Sequence, residues 1–488
     1  MKTNHNNFLL IALFCSIAAF SQNGAIKGTI VDPYGIYVPG ATVIIEDLNK
    51  GAVSDADGKF LFLNVPEGPH TLTVKYLGYK DSQRQVNVTA KETAAADFIL
   101  TSDEIQLEGV EVSGFSLGGQ ARALNVQKNK QNITNIVSTD QIGKFPDANI
   151  GDAVKRIPGI TMQVDQGEAR NIIVRGLAPQ LNSVTLNGSR IPSAEGDNRN
   201  IQMDLIPSDM IQTIEVNKAV TPDMDADALG GSVNLITRSS PQDFRVAATL
   251  GSGINFITDR RIWNASFLVG DRTFNNKFGW MIAATINDND FGSDNVEAVW
   301  NNEAESPLTG EDINVNPYVE ETDIRTYLVQ RVRRSFSANL DYSFDENNTI
   351  YLKTIYNWRD DRENRLRLRL ADILPVFADG TENITGYQAQ FRRETKGGIP
   401  GGRIQNARLE DQRMQNYTLS GDHLFNNVKF DWLISYAKAS EERPNERYIE
   451  YRTSNEEIPV IADLSDPEFP SFRAANPADV ALSQFDDL

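Results

Sequence analysis

Ser335-Phe-Ser-Ala-Asn-Leu-Asp-Tyr-Ser-Phe344 alternates without a break. Phe336, Ala338, Leu340, Tyr342 and Phe344 fall on one face of an extended chain, and Ser335, Ser337, Asn339, Asp341 and Ser343 on the other. Side chains of a strand repeat every two residues, so the stretch presents one apolar wall and one wet wall. The pattern recurs in Trp263, Ala265, Phe267 and Val269; in Phe278, Trp280, Ile282, Ala284 and Ile286; in Ile350, Leu352, Tyr356 and Trp358; and in Val428, Phe430, Trp432, Ile434 and Tyr436. Leu366, Leu368 and Leu370 alternate with Arg365, Arg367 and Arg369. The links Asp271–Asn276, Asp345–Asn348 and Asn426-Asn427 are short, whereas Asp288–Thr322 and Ala371–Gln405 are long, polar and read as loops. Apolar faces on one side, aromatics such as Tyr342, Trp358 and Trp432 near strand ends, and short turns opposite long loops are the pattern of a bilayer-spanning barrel, with the long loops outside the cell. A soluble sandwich with one wet face would have shorter strands and no aromatic bands.

About seven such strands fit between Arg245 and Arg452, whereas plugged transporters close with about 22. An open arc leaves ladder groups unpaired in lipid, and Gln484-Phe-Asp-Asp-Leu488 lacks a terminal aromatic. Residues 241–488 therefore read as the N-terminal part of a barrel, and the sequence as a fragment.

Upstream, residues 133–240 change pattern. Ile150, Ala153, Val154 and Ile157 fall on one helical face, with Asp147 placed as N-cap and Pro158-Gly159 as the stop; the spacing predicts roughly three turns. Ile160, Met162 and Val164 then alternate with Thr161 and Gln163, and Val184 and Leu186 lead into Asn187-Gly188, a pair suited to a tight hairpin. A small sheet with a helix on it follows; composition alone would make it an independent soluble domain.

Residues 24–101 carry short strands at Ala25–Val31, Ala41–Ile45, Lys59–Leu63, His70–Tyr76 and Gln85–Val88. Turns at Pro33, Pro39-Gly40, Asp57-Gly58, Pro66 and Gly78 punctuate them, which predicts a β-sandwich. Asp55 and Asp57 read as turn formers rather than calcium ligands. His70 lacks a partner for catalysis or metal and reads as packing or surface. Before the sandwich, Lys2 and the apolar run Phe8–Phe20 make residues 1–22 a cleavable signal peptide, too short to span a bilayer. Cys15 is the only cysteine. Phe14 before it is too bulky for a lipoprotein site, so the mature chain is expected to hold neither disulfides nor Cys-bound zinc.

Length suggests three or more units. The formal charge of −19, from 66 acidic and 47 basic residues, argues against a nucleic-acid partner, which needs clustered Lys and Arg. Gly114-Phe-Ser-Leu-Gly118 matches a hydrolase nucleophile pattern around Ser116. Its polar flanks and the scarcity of histidine argue against that chemistry. Asp223-Met-Asp-Ala-Asp227 opens like an EF-hand loop, but Ala228 and Asn234 stand where Gly and Glu are required. No catalytic set, metal site or cofactor is expected.

Five words then appear in order: Gly143-Lys-Phe-Pro-Asp-Ala-Asn149, Arg156-Ile-Pro-Gly159, Val174-Arg-Gly176, Leu186-Asn-Gly188 and Pro222-Asp-Met-Asp-Ala-Asp227 running on to Asn234-Leu-Ile-Thr-Arg238. Together they resemble the plug domain of TonB-dependent outer-membrane receptors. Gly28, Asp32, Gly35, Pro39-Gly-Ala-Thr-Val43 and Ser54-Asp-Ala-Asp-Gly-Lys-Phe60 resemble the carboxypeptidase-regulatory-like, transthyretin-like module, with Ser54 where Thr is usual; that module is non-catalytic. The resemblance implies a mainly β chain: signal peptide, transthyretin-like sandwich, linker over 102–132, α/β plug, and the first part of an antiparallel transmembrane β-barrel. In that linker Leu107, Glu108, Gly109, Val110, Glu111, Val112, Ser113 and Gly114 resemble a TonB box, the extended peptide gripped by a periplasmic TonB-type coupling protein; a plain linker is the alternative. The expected function is import of a nutrient through the outer membrane, an oligosaccharide in first place, with a surface lipoprotein as a further partner. Alternatives are ferric siderophore import and a non-transporting adhesin or signalling receptor. Arg175 and Arg238 are expected to seat the plug by pairing with barrel carboxylates. Phe291, Trp300 and Tyr318, in the acidic stretch Asp288–Thr322, are candidate substrate contacts.

Overall fold

The computed structural model describes residues 23–487 apart from 102, 104–117, 131, 139–148, 166, 197, 223, 398–406 and 445. The signal peptide, Leu107–Gly114, Ser116 and Asp147 therefore lie outside the described residues.

The N-terminal strands are β1 (Asn23–Val31), β2 (Thr42–Ile45), β3 (Lys50–Val53), β4 (Lys59–Pro66), β5 (Gly68–Lys75), β6 (Ser82–Val88), β7 (Thr93–Ala95) and β8 (Phe98–Ile99). One sheet sets β4 and β7 on either side of β1, with β8 also on β1; the other runs β3-β2-β5-β6. Alternation sends Ile26, Phe60 and Phe62 from one sheet, and Val43, Leu72 and Val74 from the other, into a shared core. β3 has no alternation of polarity and is invisible to a periodicity reading. Ser54 does the work of the usual Thr, since its hydroxyl accepts from Ala41 N at 2.8 Å and donates to the Val38 carbonyl at 2.7 Å. One Asp55 oxygen accepts from the N–H groups of Asp57 and Lys59, both at 2.9 Å, which fixes the turn. His70 is buried between the Asp47 carboxylate at 2.6 Å and the Pro66 carbonyl at 2.8 Å.

The middle region holds α1 (Gly118–Asn129), β9 (Thr134–Ser138), α2 (Ile150–Val154), β10 (Ile160–Asp165), β11 (Glu168–Val174), β12 (Asn182–Leu186), β13 (Ser189–Arg190), β14 (Ile211–Asn217) and β15 (Gly231–Thr237). One sheet runs β13-β12-β15-β14-β9, and β10 and β11 form a separate hairpin. Val184, Leu186, Ile214, Val216, Val233 and Leu235 pack against Ile150, Ala153, Val154 and Ile157. The helix is shorter than its periodicity suggests. Asn149 caps it, accepting from Asp152 N at 3.0 Å, and Ile157 is buried from the turn beyond. Asn187 and Gly188 take φ of 52° and 79°, the left-handed pair a tight hairpin needs.

The wall consists of β16 (Arg245–Asn255), β17 (Arg260–Thr273), β18 (Phe278–Glu305), β19 (Asp312–Asp345), β20 (Asn348–Phe377), β21 (Ile384–Lys396), β22 (Arg408–Phe425) and β23 (Val428–Glu442). At membrane level the antiparallel order is β16-β17-β18-β19-β20-β22-β23, and β21 joins β20 only from Arg365 outward. Register aligns Leu340, Leu352, Leu419 and Ile434 across four strands, a lipid-facing row. Tyr342, Phe344, Phe430 and Trp432 lie towards the short turns, and Tyr356 meets Trp358 edge-on at 5.3 Å towards the other end. Just past Trp358 the same face carries the ion pairs Arg334–Asp360 at 2.8 Å and Arg413–Asp411 at 2.5 Å, so the apolar band stops there.

The stretches read as long loops are instead continued strands. β18 and β19 stay paired out to Glu305 and Asp312, and β20 runs on to Phe377 opposite β21. Polarity ends a lipid-facing surface but not a hydrogen-bonded ladder, and cross-strand pairs such as Arg325–Glu297 support the extension. Among the described residues no helix is long and apolar enough to cross a membrane.

Candidate functional site: a buried charge seam under a polar cavity

Above the apolar band the inward alternation of β19 and β20 continues, but its residues become charged. Arg331 and Arg333 follow Ser335 on the inner face of β19, and Arg359, Asp361 and Glu363 follow Asn357 on that of β20. Two carboxylates of the middle domain meet them: Glu168, the first residue of β11 after the tight turn at Gly167 (φ 88°), and Asp204, in the single turn Met203–Leu205.

Arg331 forks onto Asp361 at 2.7 and 2.6 Å and reaches Glu168 at 2.5 Å. Arg333 holds both oxygens of Glu168. Arg359 binds Asp204 and Glu410, the latter at 3.1 Å. Arg170 of β11 lies 3.9 Å from the same Glu410. Four guanidiniums thus face four carboxylates. Arg331 and Arg359 are fully buried, Asp204 is 1 % exposed and Glu168 4 %. Burial alone would push the Glu168 carboxyl up, but Arg333 and Arg331 hold it below its ordinary range; for Asp204, Arg359 and Arg170 overcome burial the same way. Charges taken out of water at this cost are tolerated only when paired and hydrogen-bonded, and forked Arg–carboxylate geometry meets that need.

Smaller contacts continue the seam along the inner wall. Ser189 meets Ser435 at 2.5 Å, Asn339 donates to the Arg238 carbonyl at 2.5 Å, and Ser240 bonds Asp341. Ile355 and Met414 of the wall join the apolar core of the middle domain. Beyond the seam, outside the apolar band, lies a cavity of about 950 Å³. The β10–β11 hairpin with Ser193–Gly196, Asn198 and Asn200 lines one side; Tyr327, Arg365, Lys396, Arg408, Glu441 and Arg443 line the other.

The structure departs from the expected seating contacts. Arg175 is exposed at φ 54° with no barrel carboxylate paired to it among the described residues. The Arg238 guanidinium donates to the Asp209 carbonyl of its own domain at 2.9 Å, and its backbone carbonyl accepts from Asn339 of the wall. At the seam the inner domain supplies Glu168, Asp204 and Arg170, and the wall Arg331, Arg333, Arg359, Asp361 and Glu410. Of the aromatic candidates, Tyr318 is 2 % exposed and stacked on Tyr387, Phe291 lies under the Arg331 guanidinium at 5.5 Å, and Trp300 is exposed on β18. Ser183 takes up Asp225 at 2.9 Å, and Arg190 takes up Asp227 at 2.7 Å.

The description matching residues 125–232 is the TonB-dependent Receptor Plug Domain, and that matching residues 26–112 is the CarboxypepD_reg-like domain. Residues 125–232 are a TonB-dependent receptor plug domain. The TonB-dependent receptor P39 of Formosa agariphila is 24% identical over 274 residues, covering 53% of this chain and 24% of that protein. The vitamin B12 transporter BtuB of Vibrio vulnificus is 29% identical over 144 residues, 28% of this chain and 23% of that one. Among solved structures, a mutant of the ferric enterobactin receptor of Pseudomonas aeruginosa aligns with a TM-score of 0.37 at 12% identity, covering 71% of this chain and 57% of that one. The chain thus spans about a quarter of the length of these curated relatives. It is an outer-membrane protein, with its plug inside a wall of lipid-facing strands.

Proposed function

We propose that the chain is the leading part of a receptor that imports an oligosaccharide across the outer membrane, energised by a TonB-type coupling protein that grips Leu107–Gly114. The working units are the sandwich 24–101, the linker 102–132, the plug 133–240 and the wall from 241. The observation that carries the reading is the seam. A plug seated by desolvated charge pairs does not leave its seat by thermal motion alone, so opening a path needs work, and the sequence has no nucleotide-binding loop to supply it.

The cavity lining supports the cargo class. Six carboxylates face five cationic side chains there, so donors and acceptors are balanced and no cationic surplus awaits an anionic ferric siderophore. A polyhydroxylated ligand uses both. Trp300 offers an exposed ring for stacking on a sugar face, and a surface lipoprotein would close over the projecting β18–β19 hairpin.

The test is uptake of labelled neutral oligosaccharides and of ferric enterobactin by cells carrying the full-length receptor, with and without residues 107–114. Saccharide uptake that vanishes on deletion while surface display persists is the expected result. Undiminished uptake overturns the coupling, and uptake of the ferric complex alone overturns the cargo.

A further inference from the structure

Among the described residues the sandwich touches the rest of the chain at three places. Behind it, α1 is docked: Asn129 Nδ2 donates to the Gly40 carbonyl at 3.0 Å and to Thr42 Oγ1 at 3.3 Å. A Cβ on Gly40 would lie 2.5 Å from Val126 N, so the two backbones are in close contact. At the plug's exit, Gln242 Nε2 donates to the Tyr37 hydroxyl at 2.8 Å, and Ser239 lies beside Asp57. At the turn-side rim of the wall, Lys59 Nζ donates to the Tyr351 hydroxyl at 2.5 Å, and Asn427 Nδ2 donates to the Asn23 carbonyl at 3.2 Å. Arg272 links the sandwich, the wall and the plug's exit, reaching Tyr37 at 3.3 Å and, at 2.8 Å, the Asp341 carboxylate that also accepts from Ser240.

Both ends of the plug, α1 before it and Ser239–Gln242 after it, are thus held by one domain, which is itself fastened to the wall. We propose that the N-terminal sandwich is a clasp: it ties the plug's two ends to the turn-side rim, and its contacts break before the plug leaves the seam. The point where force enters rests on the coupling reading above, whereas the clasp rests on these contacts. Residues 102–117 join the sandwich to α1, so a pull on them loads the sandwich from one side and α1, docked on the same sandwich, from the other. The contacts first loaded are part-buried neutral and single-charge hydrogen bonds, weaker than forked and desolvated ion pairs.

The test is single-molecule pulling on the full-length receptor in lipid nanodiscs through a tag inserted after Gly114. Wild-type protein is expected to give a small early rupture followed by the longer extension of the plug. Lys59→Cys with Tyr351→Cys, bridged by a reducible bismaleimide, should cut plug extensions at least ten-fold, and reductant should restore them. Lys59→Met with Tyr351→Phe, which leaves both folds their packing, should shift the early rupture to lower force and leave the plug rupture in place. Plug extension at unchanged force and frequency in the bridged protein overturns the clasp, as does an early rupture indifferent to the Met/Phe pair. Failure of the import reading is separate: it appears as uptake surviving loss of residues 107–114 while the rupture pattern persists.

Discussion

The plug is held at two places made of different material. At the seam, eight charged groups lie between β11, Asp204 and the inner faces of β19, β20 and β22, and seven of them, all but Arg170, are more than nine-tenths buried. At the sandwich, the contacts are single hydrogen bonds such as Lys59–Tyr351 and Gln242–Tyr37. Buried charge pairs cost little when intact and much when half-removed, whereas neutral or singly charged bonds contribute roughly 0.5–1.5 kcal/mol each and are lost gracefully. The first kind of contact fixes a geometry; the second can be opened and remade.

That contrast can be broken by mutation. Asp204→Ala leaves Arg359 buried beside Arg331 and Arg333, and should destabilise plug seating by about 3–5 kcal/mol; hydrogen exchange of β11 in the full-length receptor would rise accordingly, and unchanged protection would show the seam to be incidental. Leu352→Arg puts a charge in the middle of the lipid-facing row and should cost about 2–4 kcal/mol in folding into vesicles, read by urea titration, with no change at the seam. Glu168→Gln keeps the shape but leaves Arg331 and Arg333 short of an anion, for about 1–3 kcal/mol by the same exchange measurement.

Acid probes the same carboxyls. The folded Glu168 and Asp204 titrate below their unfolded values of about 4. Their contribution is therefore fully present above that pH and is lost as pH falls through the depressed folded values. Protection factors in the plug, corrected for the intrinsic pH dependence of amide exchange, should be flat from about pH 8 to 5 and fall only below about 4. Tyr351→Phe, the mildest change, removes one bond to Lys59 and should cost about 1 kcal/mol, visible as faster exchange in the sandwich turn at Gly58 and not in β11.

The wall was legible because lipid enforces a period of two, and Leu340, Leu352 and Ile434 obey it in their strands. The plug core was legible through Ile150, Val154 and Ile157, although five residues suffice for the helix because Asn149 caps it so late. The seam was not. Glu168 and Asp204 are ordinary polar residues in sequence, and only folding brings them within reach of residues more than a hundred positions on. A signal did exist: Arg331 and Arg333 continue the inward face of Ser335, and Asp361 and Glu363 that of Asn357, so charged residues sit where a wall meets whatever fills it. The continued strands beyond the membrane were hidden by the assumption that polar means loop.

Those continued strands have a consequence for recognition. The outward extensions of β18, β19, β20 and β21 are fixed by ladder hydrogen bonds, whereas a loop of the same length would lose about 1–2 kcal/mol of backbone freedom per residue fixed. On the import reading proposed above, capture there would rest on shape and surface chemistry presented in advance, so a different ligand would need new side chains on the same rigid palisade rather than new loops.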